Sequence, residues 1–177
     1  MRLTLFGALA LATACSAAAP NDAASPASTI AARGRALDGD TVTIDIRLSG
    51  ADAFERRHWC QGNTGCWHCG KAAQDRAARM LKGGEATIRL TGSASYGRPV
   101  GTVTVDGRDL GETMIAAGLA LPVTGYLRAD PARAARYVAA YDRAVAARIG
   151  AHEGSFIEPA RWRRGERLSC EPRGSSR

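Results

Sequence analysis

Carboxylate and arginine side chains gather around one short stretch of this chain. Arg47 is followed closely by Asp52 and Glu55. An aspartate-rich turn, Asp38–Thr41, comes just before them, and a second arginine turn containing Arg98 follows further along. Carboxylates can hold a hard cation, and guanidinium groups bind phosphate oxygens in a two-pronged way. The stretch therefore holds the residue types needed to cut a phosphodiester bond.

An alternating pattern predicts the strand that positions Arg47. Residues 41–48 alternate between polar and apolar side chains, so we expect one unbroken strand with one face in the core. The apolar positions are Val42, Ile44, Ile46 and Leu48. On such a strand Asp40 and Arg47 would face opposite sides, about 23 Å apart at ~3.3 Å per residue. Either residues 43–45 form a tight turn or bulge, or Asp40 is not a full metal ligand.

The rest of the chain predicts more strands and three helices. Strands are expected at 86–91 and 100–105, with a turn at Asp106-Gly107. Helices are expected over 71–82, from Asp109 to about Ala117, and from Asp130-Pro131 to Gly150. The first would carry Ala73, Ala77, Met80 and Leu81 along one face, and the last would bury Val138, Tyr141, Val145 and Ile149. This order of elements predicts an α+β fold, a small barrel with helices at one side.

The charge is consistent with a partner that carries phosphates. The 177 residues suit one domain, and the net charge is +7 with only two lysines, Lys71 and Lys82. Arginine binds phosphate well, but a GC-rich genome that encodes arginine in place of lysine would give the same composition. Charge alone therefore favours a nucleic-acid partner only slightly.

The N-terminus predicts export. A positive start precedes the short apolar run Leu3–Ala14, which suits a secretory signal and is too short to span a bilayer. Leu11–Cys15 resembles a bacterial lipobox, in which Cys15 would be lipidated; the alternative is ordinary cleavage near Ala18. Residues 1–15 are thus assigned to the signal and 16–32 to a flexible linker. Both alternatives predict a periplasmic or extracellular protein, attached to a membrane only in the first.

Four cysteines remain once Cys15 is set aside, and in an oxidising compartment two disulfides are expected. They are Cys60, Cys66, Cys69 and Cys170. Three pairings are open; Cys60–Cys69 with Cys66–Cys170 is favoured, and it would attach the tail, 166–177, to a domain at 33–165. Trp59 and Trp67 are expected to pack around these disulfides. A redox dithiol at Cys66 and Cys69, or a zinc site with His58 or His68, is the alternative use of the thiols.

Two aromatic residues near the C-terminus and one histidine complete the local predictions. Phe156 and Trp162 are expected to pack back on the domain, and His152 is expected to be a surface residue without a partner.

Several segments together resemble the staphylococcal nuclease-like (thermonuclease) family. They are DGDT at 38–41, RLSGADAFE at 47–55, YGR at 96–98, DGRDLGETMIAAGLA at 106–120 and GSFIEPARWRR at 154–164. Each is weak alone, but their order and spacing make the combined resemblance specific over 34–164. It implies a five-stranded OB-fold barrel with three helices.

The resemblance also implies a role for each matching residue. Asp40, Asp52 and the backbone carbonyl of Ala53 would ligate Ca²⁺. Glu55 would be the general base, and Arg47 and Arg98 would grip the phosphate and stabilise the transition state. Tyr96 and Tyr126 would line the nucleotide site. The family usually has proline where this chain has Phe54, which leaves the direction of Glu55 open.

The leading hypothesis is a calcium-dependent nuclease, active as a monomer. It would hydrolyse unpaired DNA and RNA with little sequence preference and leave 3′-phosphate ends. A nucleic-acid-binding or scaffold module that has lost catalysis is the alternative, favoured by Phe54 and by the short segment before Arg47. In that case Arg47 and Glu55 could be a structural ion pair and Arg98 a solvated loop residue.

Overall fold

The computed structural model describes residues 30–172. The strands are β1 (Gly34–Ala36), β2 (Val42–Ile44), β3 (Arg47–Leu48), β4 (Ala51–Ala53), β5 (Cys60–Gly62), β6 (Gly65–Trp67), β7 (Ala86–Ser95), β8 (Arg98–Val105), β9 (Arg108–Asp109), β10 (Ala120–Pro122) and β11 (Ser155–Phe156). The α-helices are α1 (Cys69–Gly83), α2 (Leu110–Ala116), α3 (Pro131–Ala146) and α4 (Pro159–Arg163). Two 3₁₀ turns, Thr124–Leu127 and Gly150–Glu153, flank α3.

The strands confirm an α+β fold but not a closed barrel. The largest sheet has the order β3-β8-β7, with β9 also on β8, and β3 runs parallel to β8. The other sheets are β10-β4, β11-β5-β6 and the β1-β2 hairpin. Within residues 30–172 the hydrogen-bonded pairs form these separate sheets and no closed barrel, so the five-stranded barrel stays a prediction.

The predicted unbroken strand over 41–48 is wrong. β2 ends at Ile44 and β3 begins at Arg47, and β2 pairs only with β1, with Ile44 opposite Gly34. The apolar side chains of Val42 and Ile44 are therefore exposed. Alternation gives an amphipathic strand, but it does not say which sheet covers the apolar face.

The core lies between the main sheet and helices α1 to α3. Its buried residues include Val103, Val105, Leu110, Met114, Ile115 and Tyr137. All three predicted helices form, and Asp109 and Asp130 cap α2 and α3 as expected. The buried face of α3 differs from the prediction: Tyr137, Ala140 and Ala144 are buried, while Val138, Val145 and the following Ile149 are about two-fifths exposed. Small alanines allow α3 to approach its neighbours closely.

A second cluster of buried residues contains two of the cysteines, Cys60 and Cys69. The structure forms the favoured pairs, Cys60–Cys69 and Cys66–Cys170. Because all four are oxidised, neither the zinc site nor the redox dithiol is available in this structure. Trp67 packs against the cluster. Trp59 contacts the ring of His68 at 3.9 Å between centroids.

The C-terminal segment packs back as predicted, with one exception. Phe156 contacts Phe54, and Trp162 stacks on His58. His152 is not an isolated surface residue, because its ring packs against Tyr141 and Phe156.

The predicted signal at 1–15, with Cys15, and most of the predicted linker lie outside the described residues. Among the helices of residues 30–172, none has the length and apolar character needed to cross a membrane.

Candidate active site

A tight connection between two short strands places Arg47 and Asp52 side by side. Gly50 joins β3 to β4 with a φ of +74°, a conformation that glycine adopts without strain. A side chain at Gly50 would also collide with Leu127. As a result, Arg47 Nη2 lies 3.4 Å from Asp52 Oδ1.

Glu55 is held by the backbone around it. The N–H of Phe54 donates to the Leu119 carbonyl at 3.3 Å, and the Glu55 carbonyl accepts from the N–H of His58 at 2.7 Å. The Phe54 ring is buried against His58 and Phe156. A buried aromatic ring and a backbone donor that proline lacks therefore fix the turn before Glu55.

A second turn contributes Tyr96 and Arg98. The hairpin between β7 and β8 turns at Tyr96-Gly97, where both residues have positive φ, as a type I′ turn requires. Tyr96 is 86% exposed, and Tyr126, in a 3₁₀ turn, is 76% exposed. Both rings are thus free to stack on a planar ligand.

Most of the predicted site residues line one cleft of about 800 Å³. These are Arg47, Asp52, Ala53, Glu55, Tyr96, Arg98 and Tyr126. Their assigned roles stay predictions, but the geometry brings residues from three parts of the chain to one surface. Such a cleft could hold a phosphate between guanidinium groups while a carboxylate lies beside it.

Asp40 is not part of this cleft. It lies in the turn of the β1-β2 hairpin, where it is exposed and accepts a hydrogen bond from Thr41 Oγ1 at 3.2 Å. The neighbouring Asp38 carboxylate accepts the N–H groups of Asp40 and Thr41, which shapes the turn. The structure therefore does not bring Asp40 to Asp52.

Arg163 is a site residue that the sequence interpretation missed. Its Nη1 and Nη2 atoms donate to Asp52 Oδ1 at 3.0 Å and Oδ2 at 2.7 Å, and Nη1 also donates to Glu55 Oε1 at 2.9 Å. The hydrogen bonds and charges of these carboxylates raise the pKa of Arg163 further above its already high ordinary value. The sequence signal was Pro159, which opens α4 three residues before Trp162 and so places Arg163 on a short helix.

Aromatic contacts fix the helix that carries Arg163. Trp162 stacks on the fully buried His58 with 5.1 Å between centroids. The Arg167 guanidinium lies 4.0 Å from the centroid of the Trp162 ring. Cys170, bonded to Cys66, anchors the chain beyond it.

The described carboxylates do not fit a calcium site in this arrangement. Both oxygens of Asp52 are engaged by Arg163, Glu55 is engaged as well, and Asp40 lies in the hairpin turn. Within residues 30–172 no group of three or more acidic, histidine or cysteine residues could hold a metal ion. Calcium binds through oxygen ligands, and because Arg163 holds both oxygens of Asp52 and one of Glu55, these carboxylates do not form a calcium site in this arrangement.

The model of the staphylococcal nuclease homologue family matches residues 45–151, more than half of the chain. The match begins after Asp40 and ends before Arg163. No curated protein matches the chain. Members of this family are typically nucleic-acid hydrolases that depend in general on calcium. The extent of the match shows that the chain belongs to the staphylococcal nuclease-like family.

Proposed function

We propose that this protein is a nuclease that hydrolyses DNA and RNA with little sequence preference and leaves 3′-phosphate ends. The observation that carries the proposal is the cleft in which Arg47, Arg98 and Glu55 lie together. Family membership supports action on nucleic acid. Phosphate recognition by arginine explains the low sequence preference, because the phosphate is the same at every nucleotide.

The two arginines have different surroundings, which suits different roles. Arg47 is half-buried, and its guanidinium contacts the Asp52 carboxylate at 3.4 Å. Arg98 has no ion pair within the part of the chain that the structure describes, so its charge is free for a phosphate. Two guanidinium groups on one phosphate would stabilise the charge that develops as water attacks in line.

Glu55 is the proposed general base. Its side chain is 41% exposed at the cleft, so water can reach the carboxylate. The base would orient and deprotonate the attacking water, and the leaving 5′ oxygen would depart from the opposite side of the phosphorus. Tyr96 and Tyr126 would stack on unpaired bases, which favours single strands over duplexes.

Calcium is the cofactor that family membership favours for this reaction. When bound, it would polarise the phosphate and neutralise its charge. We propose dependence on calcium as a property to be tested, and no step above uses the metal because the described donors do not form a site for it.

We also propose that the protein is exported and acts as a monomer. The two disulfides in the structure support an oxidising compartment. Determining the N-terminus of the mature protein distinguishes lipidation at Cys15 from cleavage near Ala18.

The decisive experiment compares cleavage of single-stranded DNA by the wild type, Glu55→Gln and Glu85→Gln, each with calcium and with a chelator. Glu85 is an exposed glutamate outside the cleft and serves as the matched control. We expect Glu55→Gln to slow cleavage by about 10²–10⁴-fold, the usual contribution of a general base. DNA binding should persist, because the arginines remain.

A second candidate is a binding or scaffold module of the same family. The observation that favours it is the engagement of both Asp52 and Glu55 by Arg163. The same experiment separates the two functions: binding without cleavage by the wild type, with calcium or without it, would reject the nuclease and support the module.

A further inference from the structure

Arg163 lies where a cation would be needed between the two carboxylates of the cleft. Its guanidinium uses one nitrogen to bridge Asp52 and Glu55, at 3.0 and 2.9 Å, and the other for a 2.7 Å bond to Asp52. Both carboxylate oxygens of Asp52 and one of Glu55 are therefore occupied. Arg47 contributes a longer contact to Asp52 at 3.4 Å.

The geometry makes this contact stronger than an ordinary surface ion pair. The Asp52 side chain is only 16% exposed and that of Arg163 36% exposed, so solvent screening is reduced. Two parallel N–H···O bonds to one carboxylate form the two-pronged arrangement that guanidinium favours over a simple point charge. The third bond joins Glu55 to the same group.

The backbone of Arg163 is fixed as well. Pro159 is buried at the start of α4, and Trp162 is held between His58 and the Arg167 guanidinium. The Cys66–Cys170 disulfide attaches the segment that follows. These packing contacts and the disulfide thus fix the position of the Arg163 backbone beside the cleft.

We propose that Arg163 is a built-in cation that competes with divalent metal ions for Asp52 and Glu55. Metal binding and the Arg163 contacts exclude each other, because both cations would take the same position beside these carboxylate oxygens and would repel each other. In the absence of a metal, Arg163 neutralises the two carboxylates and holds them in position. This inference rests on the proposed function for the identity of the site, but it concerns cation binding and can fail separately from cleavage.

Competition with Arg163 should lower the affinity of the site for a divalent cation by a measurable factor. A metal ion that enters must displace three charge-assisted hydrogen bonds, and each such bond corresponds to roughly a tenfold factor or more in an equilibrium. Substitution of Arg163 removes this cost and leaves two carboxylates without their main counter-ion. Both effects raise the affinity of the site for a divalent cation.

The test is calorimetric titration of the disulfide-bonded protein with calcium chloride alone, without nucleic acid. The variants are Arg163→Gln, Arg163→Lys and the control Arg161→Gln. Arg161 lies on the same helix but pairs with Glu166, at 2.9 Å from Nε to Oε1. We expect Arg163→Gln to bind calcium at least about tenfold more tightly than the wild type, and Arg161→Gln to match the wild type.

Arg163→Lys tests the same competition if Arg163→Gln does not fold. Lysine retains the charge but is a point donor that cannot form the two-pronged contact. If both variants fold, the calcium affinity of Arg163→Lys should lie between those of the wild type and Arg163→Gln. If only Arg163→Lys folds, its calcium affinity should be higher than that of the wild type. Equal or weaker calcium binding by the folded Arg163 variants would overturn the proposal, and so would an equal gain in Arg161→Gln.

Discussion

His58 connects the turn that carries Glu55 to the helix that carries Arg163. Its N–H donates to the Glu55 carbonyl, and its ring lies between Phe54 and Trp162, fully buried. Burial lowers the pKa of His58 from its ordinary 6.5 to about 4, and the nearby arginines add to this effect. The imidazole is therefore neutral in the folded protein at neutral pH.

This lowered pKa predicts that acid destabilises the protein through His58. Between pH 6.5 and about 4 the unfolded chain binds a proton at His58 that the folded protein does not. Stability therefore falls as pH falls through this window, by up to about 3 kcal/mol at ~1.4 kcal/mol per pH unit. Above pH 6.5 the effect is absent, since both states are neutral.

The measurement compares urea unfolding of the wild type and His58→Phe at pH 7.5 and pH 4.5. The difference in free energy of unfolding between the two proteins should shift in favour of His58→Phe at the lower pH. His68→Phe is the control, since His68 is exposed. A difference that does not depend on pH would show that His58 does not carry the effect.

Residues of the site were predictable where the chain brings them together locally. Asp52 and Glu55 follow Arg47 across one strand and turn, so their order and spacing were enough. Arg163 lies 111 residues from Asp52 along the chain, and its approach depends on how Trp162 packs. Asp40 was predicted as a ligand from its motif, but the hairpin turn that holds it belongs to a separate sheet.

At the scale of elements, Asp109 joins three parts of the fold. Its Oδ1 atom caps α2 by accepting the Glu112 N–H at 3.1 Å and also accepts the Tyr137 hydroxyl at 2.8 Å. Its Oδ2 atom accepts a hydrogen bond from Arg133 Nη1. Burial, and then the hydrogen bond to Asp109, raise the pKa of Tyr137, so this hydroxyl stays a donor.

The side chains that cap α2 and α3 are therefore expected to contribute unequally to the free energy of unfolding. The Asp109 side chain is 10% exposed, whereas that of Asp130, which caps α3, is 46% exposed. We expect Asp109→Ala to lower the free energy of unfolding by about 3–5 kcal/mol, because it leaves Arg133 and the Tyr137 hydroxyl short of a buried partner. Asp130→Ala should cost about 1 kcal/mol, the usual loss for a cap. Equal losses in thermal or urea unfolding would contradict this ranking.

Local signals predicted the helices better than the sheets. The N-caps at Asp109 and Asp130 depend on a few adjacent residues, and the structure has both. Strand pairing depends on partners far apart in sequence: β3 pairs with β8, and Arg47 lies opposite Val100. The break after Ile44 follows from β2 pairing with β1 instead, which alternation alone does not reveal.

At the scale of the whole molecule, the two disulfides close loops of very different length. Cys60–Cys69 spans 9 residues, and Cys66–Cys170 spans 104. In the chain-entropy account, the long loop stabilises the fold by about 4.7 kcal/mol and the short one by about 2.6 kcal/mol. The long disulfide also ties the segment that carries α4 to the hairpin of β5 and β6.

Removing the long disulfide should therefore affect both global stability and the C-terminal segment. We expect Cys66→Ala/Cys170→Ala to lose about 4–5 kcal/mol in urea unfolding and to be cut faster by trypsin at Arg164 and Arg167. Cys60→Ala/Cys69→Ala is the matched control: it loses a buried disulfide but keeps the tail attached, so tryptic cleavage at these two arginines should be slower than in the first pair. If Cys66→Ala/Cys170→Ala is cut no faster than the wild type at these two arginines, the packing of Trp162 on His58, rather than the disulfide, holds Arg163 in the cleft.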